Sequence, residues 1–99
     1  MKYTNELMLM IAKFLRGETE VDEFSFEFPA RLAEVFDDFR NENADLCDCL
    51  EEEMPDLCAM FDPHETGGDT MNAEQFRAKI MSVYQKALPL AEICEELAL

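Results

Sequence analysis

The chain has 99 residues and a formal net charge of −15, with 23 acidic side chains against eight lysines and arginines. Nucleic acids and anionic membranes repel so acidic a protein, so we expect it to bind neither directly. Because 48% of the residues are hydrophobic and glycines and prolines are few, the sequence predicts one folded domain over residues 1–99 rather than a disordered chain.

Apolar residues recur at helical spacing along nearly the whole chain. The first predicted helix has Thr4 as its N-cap and ends at Gly17. The second begins after Thr19, which we interpret as an N-cap, and its apolar face continues past Pro29 to Phe39. We therefore predict that Pro29 kinks this helix without ending it.

A turn at residues 41–43 separates the second predicted helix from a third at residues 44–61. Pro55 lies inside the third pattern, where it either kinks the helix or begins a new segment. Residues 62–70 contain one proline and two glycines and give the strongest loop signal in the chain.

The fourth predicted helix begins at a capping box formed by Asn72 and Gln75. Pro89 is expected to interrupt it, and residues 90–99 are expected to form a short amphipathic tail helix. No segment alternates with period two over a useful length. The sequence therefore predicts an all-α fold, an antiparallel four-helix bundle with kinked helices and a short C-terminal tail helix.

Location is predicted from what the chain lacks. We find no secretory signal and no apolar run of the ~20 residues that a membrane span needs. Cysteines in a reducing compartment remain thiols, and we expect this of Cys47, Cys49, Cys58 and Cys94. The expectation is a cytoplasmic protein.

Metal sites and catalysis find little support in the sequence. If Asp62 began an EF-hand loop, the twelfth position would be Ala73, where a bidentate glutamate belongs. Cys47 and Cys58 would lie about 16 Å apart along one helix, too far to share a zinc ion. Neither of the two serines lies in a nucleophile motif. We therefore predict no metal, no cofactor and no enzymatic activity.

Acidic residues are concentrated at residues 37–56, where nine of them are opposed only by Arg40. On a helical wheel, the acids of the third helix lie opposite its apolar face, and those of the second helix also point outward. We predict that they form one acidic surface that contacts a basic partner, made of Asp37, Asp38, Glu42, Asp45, Asp48, Glu52 and Asp56. The alternative is a solvated face without a specific partner.

Phe26 departs from the apolar pattern of the second helix. It lies beside acidic residues on the wheel rather than with the other phenylalanines. An aromatic side chain among acids is a plausible anchor for a protein partner, so we include Phe26 in the candidate binding site. The alternative is that Phe26 packs under a neighbouring helix or loop.

The chain resembles the colicin D immunity-like family at FLRG (residues 14–17), EFSFEF (residues 23–28), FRAKI (residues 76–80) and Tyr84. Members are small four-helix proteins encoded beside bacterial toxins, including those of contact-dependent growth inhibition. The resemblance implies an acidic surface that occupies the positively charged active site of a toxin nuclease, often a tRNase.

Charge and resemblance lead to the same leading hypothesis: an immunity protein that binds and neutralises a cognate basic toxin nuclease. A nuclease holds its polyanionic substrate with lysines and arginines, which also attract a fixed array of carboxylates. The alternative hypothesis is an acidic adaptor or DNA-mimic regulator that binds a nucleic-acid-binding protein.

Overall fold

A computed structural model describes residues 2–61 and 71–91 of the chain. Within these ranges the protein contains helices and no strand, which confirms the predicted all-α class. The helices, in chain order, are α1 (Lys2–Leu15), α2 (Val21–Glu34), α3 (Phe36–Glu42), α4 (Ala44–Met60) and α5 (Ala73–Ala91). The predicted loop at residues 62–70 and residues 92–99 of the predicted tail helix lie outside the described residues. None of the helices in the described ranges is long and apolar enough to cross a membrane.

Gly17 ends α1, as the sequence predicts. Its φ of 84° is in the left-handed region that glycine adopts without strain. The Gly17 N–H donates to the Phe14 carbonyl at 3.0 Å, and the Glu18 N–H donates to the Lys13 carbonyl at 2.9 Å. This pair of bonds is a Schellman motif, which satisfies two carbonyls at the end of the helix.

Both predicted threonine N-caps are wrong. The helix α1 begins at Lys2, so Thr4 lies within it and its side chain is fully buried. The N-cap position of α2 is Glu20, one residue after Thr19, and the Glu20 side chain makes no capping hydrogen bond. Thr4 lies on the side of α1 that packs into the core. A local capping pattern carries no information about which side of a helix the core buries.

The second predicted helix is in fact two helices. Pro29 lies inside α2, so the prediction that it is not a boundary is confirmed, but the chain leaves helical geometry at Val35. The Val35 N–H still donates to Arg31 at 3.1 Å, and its carbonyl accepts from Phe39 at 2.8 Å. Buried apolar residues continue at helical spacing across the break, so periodicity alone predicts a single helix.

The predicted turn at residues 41–43 reduces to Asn43, since the two residues before it belong to α3. Asn43 accepts the Leu46 N–H on its side-chain oxygen at 3.1 Å and so caps α4. Its Nδ2 donates to the Leu90 carbonyl at 2.9 Å. Asn43 thus joins the start of α4 to the end of α5. Because α4 runs through Pro55, the alternative that a new segment begins there is wrong.

The predicted capping box at the start of α5 is confirmed. The Gln75 N–H donates to Asn72 Oδ1 at 2.8 Å, and the Asn72 N–H donates to Gln75 Oε1 at 3.1 Å. The prediction that Pro89 interrupts this helix is wrong, because α5 continues through it to Ala91. The buried Ala91 and the bond from Asn43 to the Leu90 carbonyl hold the last turn despite the N–H that proline lacks.

Five phenylalanines form the centre of the core. The rings of Phe14 and Phe24 stack with centroids 4.4 Å apart and an interplanar angle of 9°. Phe76 lies 5.6 Å from Phe14 and 6.2 Å from Phe24, and Phe61 and Phe28 extend the cluster on either side. Aromatic pairs at such distances add to the stabilisation from burial. The cluster therefore packs α1, α2, α5 and the end of α4 against one another.

Two phenylalanines on α2 give a direct test of this core. Phe24→Ala removes a ring that is 1% exposed, so we expect it to lower the free energy of unfolding by about 3–5 kcal/mol. Phe26→Ala removes a ring that is 78% exposed, so the change should stay within about 0.5 kcal/mol. Urea unfolding followed by far-UV circular dichroism measures both. Equal losses in the two variants would contradict the described core.

Candidate protein-binding surface

The helices α3 and α4 carry the acidic residues outward because their apolar faces are fixed in the core. Phe39, Leu46, Leu50 and Met54 are fully buried. Six of the seven carboxylates predicted to contact a partner are consequently exposed: Asp37, Asp38, Asp45, Asp48, Glu52 and Asp56. These six are called the exposed carboxylates below. Their contact with a basic partner stays a prediction.

Glu42, the seventh carboxylate, has a role inside the protein. It is half-buried, and its two oxygens accept hydrogen bonds from the backbone N–H groups of Tyr3 at 3.2 Å and Thr4 at 2.8 Å. These N–H groups belong to the first turn of α1, where backbone donors have no partner within the helix. Burial alone would raise the pKa of Glu42, but these bonds outweigh it and hold the pKa below its ordinary value. Glu42 on α3 therefore caps the N-terminus of α1.

Asp48 is paired with the one base of the acidic stretch. Arg40 Nη1 on α3 donates to Asp48 Oδ1 on α4, and both side chains remain about half exposed. The carboxylate favours the charged guanidinium and raises the pKa of Arg40. The pair ties the two acidic helices to each other, and a cationic partner would have to compete with Arg40 for Asp48.

Three of the exposed carboxylates line grooves on two sides of α4: Asp37 on one side, and Glu52 and Asp56 on the other. On one side, α2, α3 and α4 enclose a groove of about 460 Å³. Its apolar lining consists of Pro29, Leu32, Ala33, Phe36 and Pro55. Its acidic lining consists of Glu34, Asp37 and Glu51. We call this cavity the α2–α4 groove; among residues 2–61 and 71–91, no lysine or arginine lines it.

On the other side of α4, Glu52 and Asp56 face a second groove, against α5. Lys79 and Lys86 also line it, and Lys86 Nζ lies 3.0 Å from the carboxylate of Glu53. The two grooves are separate, and a single acidic surface that contacts a partner stays a prediction. The groove against α5 carries mixed charge, whereas the residues that line the α2–α4 groove are acidic and apolar.

Phe26 is exposed, so the alternative that it packs under a neighbouring helix or loop is wrong. With a step of 100° per residue, Ala30 and Ala33 lie within about 40° of Phe26 on the face of α2. Both alanines are exposed. A narrow apolar strip thus runs along α2 from Phe26 to Ala33, which lines the α2–α4 groove.

The described cysteines do not form a reactive site. Cys47 and Cys58 are buried free thiols, and Cys49 is half-buried. Burial raises the pKa of Cys58 to about 12, and it also raises the pKa of Cys47. Thiols that stay protonated at neutral pH are poor nucleophiles. Residues 2–61 and 71–91 contain no group of three or more His, Cys, Asp and Glu side chains that could hold a metal ion.

Comparisons of the chain with models of known protein families, with curated protein sequences and with solved structures found no match.

Glu42 predicts a measurable acid sensitivity. Glu42→Gln loses the charged acceptor for two backbone N–H groups and should lower the free energy of unfolding by about 1–2 kcal/mol at pH 7. Since folding depresses the pKa of Glu42, its contribution is complete above the ordinary value of 4.5 and is lost as the pH falls through the depressed value. The difference between wild type and Glu42→Gln should therefore shrink below about pH 4.5.

Glu52→Gln is the matched control, because Glu52 is exposed and its carboxylate caps no helix in the described part of the chain. Urea unfolding of the three proteins between pH 7 and pH 3 makes the comparison. Indistinguishable stabilities of Glu42→Gln and Glu52→Gln at pH 7 would show that Glu42 does not hold α1.

Proposed function

We propose that this protein is an immunity protein, which binds a basic toxin nuclease in the cytoplasm and blocks its substrate-binding site. The observation that carries the proposal is the display of six exposed carboxylates on two adjoining helices, in a stretch where nine acids meet one base. The resemblance in the core segments of the sequence supports the same function. In this proposal α2 and α3 act as one bent member of an antiparallel four-helix bundle.

Electrostatics explains how such a surface would work. A nuclease concentrates lysines and arginines where it holds phosphates, and carboxylates in fixed positions can take the place of those phosphates. Attraction between opposite charges accelerates association, by 10-fold to 1,000-fold for strongly charged pairs. A folded surface also loses less conformational entropy on binding than a flexible acidic tail would.

Charge supplies speed and orientation, whereas tight binding needs buried anchors. Phe26 is suited to this role, since it exposes 78% of its surface in the free protein and lies on an acidic helix. An aromatic residue that contributes little to the fold can be desolvated by a partner at small cost to stability. We therefore propose that Phe26 anchors the complex beside the exposed carboxylates.

Charge reversal tests the acidic contact. We expect Asp38→Lys combined with Asp45→Lys to slow association with the cognate toxin domain by about tenfold or more, because it removes attraction near the junction of α3 and α4. The cognate domain is sought as a basic C-terminal domain encoded next to this protein. Stopped-flow fluorescence measures the rate, and growth of cells that express the domain measures protection.

Glu20→Lys combined with Glu74→Lys is the matched control. These acids are also exposed, they also lie at the starts of helices, and the pair changes the net charge equally. Equal slowing in both pairs would show that only net charge matters and would remove the site assignment. Binding to a DNA-binding domain without nuclease activity would instead favour an acidic regulator.

Phe26→Ala tests the anchor. We expect it to raise the dissociation rate of the toxin complex by about 30-fold, equivalent to about 2 kcal/mol for a binding hot spot, while protein stability stays unchanged. Met60→Ala is the control, because Met60 is 44% exposed but lies on the α5 side of α4. Surface plasmon resonance measures both. Unchanged dissociation in Phe26→Ala would exclude Phe26 from the contact.

A further inference from the structure

We propose that the α2–α4 groove is a receptor for one arginine side chain of the partner protein. The inference rests on the proposed function only for the identity of the protein that supplies the arginine. The groove itself is defined by the apolar and acidic residues that line it.

The apolar lining suits the stem of a long cationic side chain. Leu32 is buried, while Pro29, Phe36 and Pro55 are half-buried and so present part of their surface to the groove. Lysine and arginine cover apolar surface with their methylene groups and keep the charged end in a polar setting. Phe36 offers a ring on which a planar guanidinium can stack. A fully polar ligand would make no favourable contact with this apolar lining.

The acidic lining suits the guanidinium. Asp37 on α3 and Glu51 on α4 line the groove from different helices. Glu34 also lines it but lies 3.1 Å from Arg31 Nη1, and Arg31 is in turn held by Glu6 on α1 through bonds of 2.5 and 3.0 Å. Asp37 and Glu51 are therefore the carboxylates available to a cation.

Arginine fits this arrangement better than lysine does. Its guanidinium has five N–H donors in a plane, so it can bond two separate carboxylates while its face contacts an aromatic ring. The volume of about 460 Å³ lies within the range of sites that enclose small ligands, about 300–1,000 Å³. The groove is thus large enough for one long side chain and too small for a whole helix.

The surroundings favour a protein as the source of the arginine. The exposed apolar strip from Phe26 to Ala33 runs into the groove, so a partner that contacts Phe26 has continuous apolar surface leading to the acidic pocket. The second groove is a poorer site for an arginine side chain, because Lys79 and Lys86 line it and would repel a cation. Charge complementarity therefore favours the α2–α4 groove over the second groove as the site for an arginine side chain.

The test uses N-acetyl-arginine amide as the probe and the neutral isostere N-acetyl-citrulline amide as its control, each titrated into the whole ¹⁵N-labelled protein. We expect saturable chemical-shift changes at the amides of Ala33, Phe36, Asp37 and Glu51 with the arginine compound and none with citrulline. Ala33→Lys places a cation in the groove and should abolish these changes. Ala78→Lys, the same substitution at an exposed position on α5, should leave them intact.

Two results would overturn the inference: shifts spread evenly over all acidic residues, or shifts that persist unchanged in Ala33→Lys. These results do not depend on the toxin. If the arginine titration fails while charge reversal still abolishes protection, the groove assignment is wrong and the immunity function stands. If the titration succeeds and no toxin domain is bound, the groove assignment stands and the immunity function is wrong.

Discussion

The stack of Phe14 on Phe24, closed by Phe76, is the contact on which the rest of the structure depends. A chain with a net charge of −15 repels itself when it is compact, so folding must bury enough apolar surface to offset that repulsion. The aromatic cluster does this where α1, α2 and α5 meet. With these helices joined, α3 and α4 pack their apolar sides against them, Glu42 and Asn43 add polar bonds to α1 and α5, and the exposed carboxylates point to solvent.

Several features that depend on neighbouring residues are predicted by the sequence, although both threonine N-caps and the break at Pro89 are wrong, and features that depend on distant residues are missed. The stop at Gly17 and the capping box before α5 follow from local patterns, and the wheel separates Phe26 from the core. The break at Val35 has no local signal, because the apolar spacing continues across it. The role of Glu42 depends on a backbone partner 38 positions away, which no local pattern shows. The α2–α4 groove likewise exists only once three helices are packed around the break.

The acidic residues at residues 37–56 therefore have different roles, although they are neighbours in the sequence. Glu42 satisfies the start of α1, and Asp48 is engaged by Arg40. Glu52 and Asp56 share their groove with two lysines, whereas Asp37 shares one with apolar residues and Glu51. A simple count of charge overstates the surface that is open to a cationic partner. The side of the molecule formed by α2, α3 and α4 combines exposed carboxylates with exposed apolar surface. Carboxylates accelerate association with a basic partner, and buried apolar contacts slow dissociation.

The dependence of the association rate on ionic strength is the most direct test of recognition by a basic partner. It is measured by stopped-flow mixing of the wild-type protein with the basic toxin domain encoded beside it, over a series of sodium chloride concentrations. Because salt screens charges that attract each other across solvent, the association rate should fall steeply as salt rises, while the dissociation rate, set by buried anchors, changes little. An association rate that does not respond to salt, or no binding at any salt concentration, would contradict an inhibitor that works through its acidic face.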